Sequence, residues 1–142
     1  MRVSIKTRKD YEQAKEYGFE PLIDTRFDVS IKLRVELQRE LFGKNANQEA
    51  NQKFYKWVWE HKPHYCEECM HPLYDYSATF VSHILPRGGH PEMAHDPRNV
   101  NILCKEHHTI WENQTGRVTM RIYLSNLQRI DDLTKEYNDL AK

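Results

Sequence analysis

Two short-spaced pairs of donors constrain this chain more than anything else in it: Cys66-x-x-Cys69 and, about 35 residues on, Cys104-x-x-His107. Tetrahedral metal sites take four Cys or His ligands, commonly as two such pairs. The pattern therefore predicts a structural zinc that staples the intervening loop. All three cysteines and all eight histidines fall between His61 and His108. Three thiols cannot all pair with one another, and a C-x-x-C without a secretory signal points to metal rather than to a disulfide framework. Other registers remain open: His108 in a C-x3-H step, or His64 or His71 beside the first pair. His107 is preferred because it repeats the first spacing and frees His108. A thioredoxin-like redox role is disfavoured, because no βαβ pattern surrounds the motif.

At 142 residues the chain is one domain's worth, with 39% apolar and 30% charged residues. No apolar run approaches the roughly 20 residues of a membrane span, and no signal region opens the chain. A soluble, cytoplasmic protein without a membrane partner is expected. Lys+Arg and Asp+Glu both number 21, which argues against strong non-specific binding to nucleic acid. Residues 1–62 carry 13 basic and 10 acidic side chains, and the rest 8 and 11, so the metal-rich half is the more acidic.

Before the metal window the sequence predicts a short strand or arm over 1–6. A helix over about 8–17 follows, capped by Thr7 and ended by Gly18. A second helix is expected from Asp28 or Ser30 to Gly43, with an imperfect stripe of Ile31, Val35, Leu37 and Leu41. A third, over about 46–61, carries Phe54, Tyr55, Trp57, Val58 and Trp59 as core and stops before Pro63. Beyond Gly116, apolar residues recur in steps of three and four at Met120, Leu124, Leu127, Ile130, Leu133, Tyr137 and Leu140. That spacing predicts an amphipathic helix, docked on its own domain or serving a homodimer through 118–142. Within the window, Tyr76 to Leu85 is rich in strand formers, Pro86 and Gly88-Gly89 break it, and Asn101 to Leu103 suits a second strand. A helix should begin near Lys105.

The elements Cys66-x-x-Cys69, then Ser82-His83-Ile84-x-Pro86-x-Gly88-Gly89, then Asn99-x-x-x-Leu103-Cys104-x-x-His107-His108 together resemble the HNH endonucleases of the ββα-metal (His-Me finger) class. The resemblance covers about 45 of the 142 residues. It implies an α+β fold: a mostly helical chain around a zinc-stapled ββα-metal core. The expected organisation is a helical region 1–62, an HNH module 63–115 and a C-terminal helix 116–142. The implied activity is metal-dependent hydrolysis of double-stranded DNA.

Each residue type suits that chemistry. Hydrolysis of an anionic diester needs a base for water, a cation to offset charge on the phosphorane and leaving oxygen, and orientation. His83 titrates near working pH and fits the base. His108, matching the last His or Asn of the family motif, is the candidate ligand of a divalent ion such as Mg²⁺, Mn²⁺ or Ni²⁺. Asn99 matches the middle Asn that braces the loop, with Asn101 the other candidate. Arg87 is placed to meet a phosphate oxygen. One position departs from the family. Ser82 stands where Asp or His usually helps hold the ion, and a hydroxyl is a poorer ligand for a hard cation than a carboxylate. The expectation is therefore a weak or water-mediated Ser82 contact, a substitute such as His95 or Asp96, or an inactive zinc module that binds nucleic acid or protein. His90 and His95 would shift metal preference toward softer ions.

Overall fold

A computed structural model describes residues 2–141, and among these the chain forms two separate two-stranded sheets and five α-helices. β1 (Val3–Ile5) leads into α1 (Arg8–Glu16), whose first turn is capped by the Thr7 hydroxyl accepting the Asp10 N–H at 3.2 Å. Gly18, at φ +91°, turns the chain away. β2 (Phe27–Val29) then returns beside β1 in parallel, Val3 opposite Phe27 and Ile5 opposite Val29. That pairing has no local sequence signal, because a parallel pair is made by a crossover rather than a turn. α2 (Ile31–Phe42) begins at Ser30 and ends at Gly43. α3 (Gln48–His61) begins where the Asn47 side chain accepts the Ala50 N–H at 2.9 Å.

The helices wrap a second, antiparallel ladder of β3 (Val81–His83) and β4 (Val100–Ile102), with Ser82 opposite Asn101 and His83 opposite Val100. α3 lays Phe54, Val58 and Trp59 on Val81, Val100 and Ile102. α4 (Lys105–Asn113) follows β4 directly, and its Trp111 packs with Ile84, Leu103 and Cys66. α5 (Tyr123–Ala141) closes the chain.

Three readings of the sequence change. The expected strand over Tyr76–Leu85 shortens to β3, because Ser77 caps a turn at Ala78–Phe80 by accepting the Thr79 N–H at 3.3 Å. The α2 stripe is differently phased. Leu33 and Leu37 pack on Ile5, Leu22 and Val29, whereas Ile31 and Val35 are half-buried against Met93, Leu133 and Tyr137, and Leu41 is exposed. In α5 the apolar series divides. Leu133 and Tyr137 are buried, while Leu124, Leu127 and Leu140 are exposed by 76%, 41% and 40%.

α5 is joined to α2 by a buried polar network. Asp96, fully buried, faces Arg34 at 3.6 Å and Arg98 at 2.8 Å, and accepts the Tyr137 hydroxyl at 3.0 Å. Burial opposes its charge, yet Arg98 and Arg34 hold the carboxyl well below the usual carboxylate range. None of the described helices is long and apolar enough to cross a membrane.

Candidate functional site

Cys66, Cys69, Cys104 and His107 converge, their ligand atoms all within 4.8 Å of one another. His107 Nδ1 lies 3.1 Å from Cys104 Sγ and 3.8 Å from Cys66 Sγ. The four can hold a metal ion. Backbone geometry builds the first half: the Cys66 N–H donates to the His71 carbonyl at 3.0 Å and the Met70 N–H to the Cys66 carbonyl at 2.8 Å. Met70 takes φ +64°, a left-handed turn that a side chain adopts only under constraint. Cys104 sits just ahead of α4, so His107 falls one turn into the helix and points back at it.

Burial disfavours a thiolate at Cys66, but the N–H groups of residues 104, 69 and 68 outweigh it and lower its pKa. Cys104 is pushed up to about 11 by burial and by its neighbours Cys66 and Cys69. Three sulfurs this close cannot all ionise without a cation among them. The other histidines weighed for this cluster are placed elsewhere. His64 stacks on Trp59 at 3.8 Å and hydrogen-bonds its carbonyl at 2.9 Å, and the His71 side chain is exposed.

On the far side of α4 an open cleft of about 700 Å³ is lined by His83, His108, Arg87, Tyr55, Glu112 and Arg117, among others. His83 Nε2 lies 2.8 Å from the Ala94 carbonyl. A carbonyl only accepts, so Nε2 carries the proton and Nδ1 keeps the lone pair. Burial, with the Arg87 charge behind it, lowers the His83 pKa to about 4. The ring is neutral at pH 7, and burial makes it a weaker base than the near-neutral titration expected from the sequence.

Asn99 is fully buried and ties the loop's two ends together. Its Oδ1 accepts the Leu85 N–H at 2.9 Å, and its Nδ2 donates to the carbonyls of Leu85 at 3.0 Å and Met93 at 3.3 Å. The Ala94 carbonyl that fixes His83 is the next along the chain. Asn101 is also buried, but it faces Glu67 and Asn126 behind the ladder. His108 projects from α4 into the cleft, Nδ1 2.5 Å from the Thr79 carbonyl and Nε2 2.9 Å from Glu112 Oε1.

Several expected ion ligands lie outside the cleft. Strand alternation turns Ser82 to the face opposite Val81 and His83, where it is fully buried and its hydroxyl has no partner. His95 is buried against α3, Nε2 2.7 Å from Asn51 Oδ1. Asp96 is consumed by Arg34 and Arg98. His90 stands 3.5 Å from Glu92 on the loop. Arg87 does line the cleft, its guanidinium 5.9 Å from the Tyr55 ring centre.

Two cleft residues escaped the sequence reading. Glu112 was legible in principle, four residues after His108 on one helix. Arg117 had no signal. It is placed by stacking on Trp111 at 4.2 Å and donating to the Trp111 carbonyl at 2.5 Å. Comparison with protein-family models, with curated proteins and with solved structures finds no match to this chain.

Proposed function

We propose that this chain is a metal-dependent endonuclease of the HNH type, hydrolysing DNA phosphodiester bonds in the cleft between β3 and α4. The observation that carries the reading is His83. Its proton is fixed on Nε2 by the Ala94 carbonyl, and its Nδ1 lone pair is left for a water. The carbonyl is itself held in a loop that the buried Asn99 braces. His108 shares the cleft as ligand for a divalent ion, Mg²⁺ or Mn²⁺, which supplies charge to the phosphorane and the leaving oxygen. Arg87 and Arg117 give the cleft two cations for a phosphodiester backbone. In this reading Cys66, Cys69, Cys104 and His107 bind a structural zinc, the metal that suits a closed Cys3His donor set. The DNA is double-stranded. A homodimer through 118–142 would use the exposed Leu124 and Leu127.

A second reading is favoured by Ser82, which leaves the strand end without a ligand, and by the zero net charge. It is a zinc-containing HNH-fold module that binds nucleic acid or protein without cutting. Conversion of supercoiled plasmid by purified, zinc-loaded protein with Mg²⁺ or Mn²⁺ separates the two. The nuclease reading expects relaxed or linear product, none with EDTA, and none from His83→Ala of equal zinc content. Folded protein that yields no product with either ion leaves the binding module.

A further inference from the structure

A small recess of about 140 Å³ lies between α2, α5 and the segment from Pro91 to His95, and it shares no lining residue with the cleft. It carries a polar demand that the chain does not meet. Gln38 lines it, is 5% exposed, and leaves its Nε2 without a hydrogen-bond partner among the described residues. Buried donors are almost always paired, so an orphan of this kind points to something bound. Rotating the amide exchanges its two ends without filling the need. Oε1, which now lies 3.4 Å from the Tyr137 hydroxyl, would then become the orphan. His95 lines the same recess. Its Nε2 lies 2.7 Å from Asn51 Oδ1, which only accepts, so the ring proton is there and Nδ1 is left as an acceptor.

Charge decides what the recess would take. Gly43, at φ +128°, ends α2 and brings Lys44 onto the wall beside Arg39. Both cations are exposed, and no ion pair engages either of them among the described residues. Glu92 is the only acid on the described wall, and it stands 3.5 Å from His90. We propose that this recess binds a small oxyanion that keeps a proton, the hydrogen phosphate ion. Its oxygens accept from the Gln38 amide, Arg39 and Lys44, and its hydroxyl donates to His95 Nδ1. Water alone fits less well, because a water occupies about 30 Å³ and would leave both cations unneutralised. A nucleotide is too large, since pockets for molecules of that size start at roughly 300 Å³. The wall from Pro91 to His95 includes the neighbour of Ala94, whose carbonyl fixes His83. The ion would therefore brace that loop from behind. The site does not depend on the nuclease reading.

The test is isothermal titration calorimetry of the zinc-loaded full chain with sodium phosphate at pH 7 and low salt. One ion should bind per chain. Gln38→Leu should weaken binding about 10- to 150-fold, as losing a hydrogen bond to a charged partner does, with zinc content and circular dichroism certifying its fold. The double variant Arg39→Gln with Lys44→Gln changes only exposed side chains. It should weaken binding at least about tenfold and keep the melting temperature measured without phosphate. Sulfate, which has no proton to give His95 at this pH, should bind at least about tenfold more weakly, and so should deoxyadenosine monophosphate. Arg117→Gln, in the cleft, should bind phosphate as wild type does. No phosphate binding by wild type, or wild-type affinity in the double variant, overturns the site and leaves a buried water as the partner of Gln38. Binding lost in Arg117→Gln but kept in Gln38→Leu moves the ion to the cleft and overturns it equally. Sulfate or the nucleotide bound as tightly as phosphate refutes hydrogen phosphate as the ligand.

Discussion

Asn99→Ala tests whether one buried amide holds the loop that presents His83. The substitution removes three hydrogen bonds: one from the Leu85 N–H at 2.9 Å, and one each to the carbonyls of Leu85 at 3.0 Å and Met93 at 3.3 Å. Asn99 is fully buried, so water cannot replace them without opening the loop. A buried group left without its partner costs about 1–3 kcal/mol. With the longest contact counted at the low end, the sum is about 3–7 kcal/mol. That is a large share of the roughly 5–15 kcal/mol that domains possess. Urea unfolding of zinc-loaded wild type and variant measures it. Asn99→Asp adds a sign. Its second carboxylate oxygen would face two carbonyls, so its folded pKa would be raised. It should therefore be less destabilised at pH 5.5 than at pH 8, relative to Asn99→Ala. If Asn99→Ala lies within 1 kcal/mol of wild type, the amide does not brace the loop, and the account of His83 orientation fails with it.

Removing the metal should unfold the site first. Cys104→Ser or a strong chelator should lower Tm by at least about 10 °C in a thermal melt, since a chain of this length moves roughly 3–4 °C for each kcal/mol. An unchanged Tm with zinc lost would make the metal structurally idle. His83, with its pKa lowered from an ordinary 6.5 to about 4, takes up a proton more readily unfolded than folded. Its contribution is complete above about pH 6.5 and is lost as pH falls toward 4, amounting to about 3 kcal/mol against His83→Gln over that range. The acid limb of cleavage should lie near 4–5, and an NMR titration of His83 with a midpoint near 6.5 would refute both statements. Asp96→Asn should cost about 3–5 kcal/mol in denaturant unfolding, because it strands the Arg34 guanidinium, whose side chain is 3% exposed. A loss under 1 kcal/mol would show that Arg34 finds another partner.

What could be read from the sequence was whatever local chemistry dictates. Thr7, Gly18 and Gly43 mark helix ends by capping or by positive φ, and all three do so in the fold. The Cys66, Cys69, Cys104 and His107 cluster follows from spacing, because a helical turn after Cys104 fixes where His107 points. What could not be read depends on contacts between distant residues. The parallel pairing of Val3–Ile5 with Phe27–Val29 is one such case. Asp96 is another. As a loop carboxylate it was a reasonable ion ligand, and only the approach of Arg34 from α2 and Tyr137 from α5 removes it. Ser82 failed for a subtler reason. The residue beside a site residue in a strand points to the other face, so sequence adjacency to His83 was evidence against it once the strand was real.

The metal cluster and the cleft share no lining side chain, yet they are mechanically one unit, and the two glutamates inside the C-x-x-C are the reason. The Glu67 carboxylate accepts the Ile102 N–H at 2.5 Å, the Asn101 amide at 3.0 Å and the Lys62 ammonium at 3.1 Å, binding the cysteine turn to β4. Burial opposes its charge, but Lys62 and these donors keep its pKa below the ordinary glutamate value. The Glu68 carboxylate accepts the N–H groups of Arg121 at 2.9 Å and Ile122 at 3.1 Å, just ahead of α5. Ordering the turn around a metal therefore orders β4 and the start of α5 together. β4 in turn pairs with β3, whose last residue is His83. On the other side, a metal held by the cluster would fix the first turn of α4 through His107, and His108 is the next residue. Both halves of the proposed catalytic pair would thus be positioned by elements whose ends a metal in the cluster holds. A cysteine substitution should consequently impair the cleft without touching it, whereas His83→Ala should impair the cleft and leave the metal cluster intact.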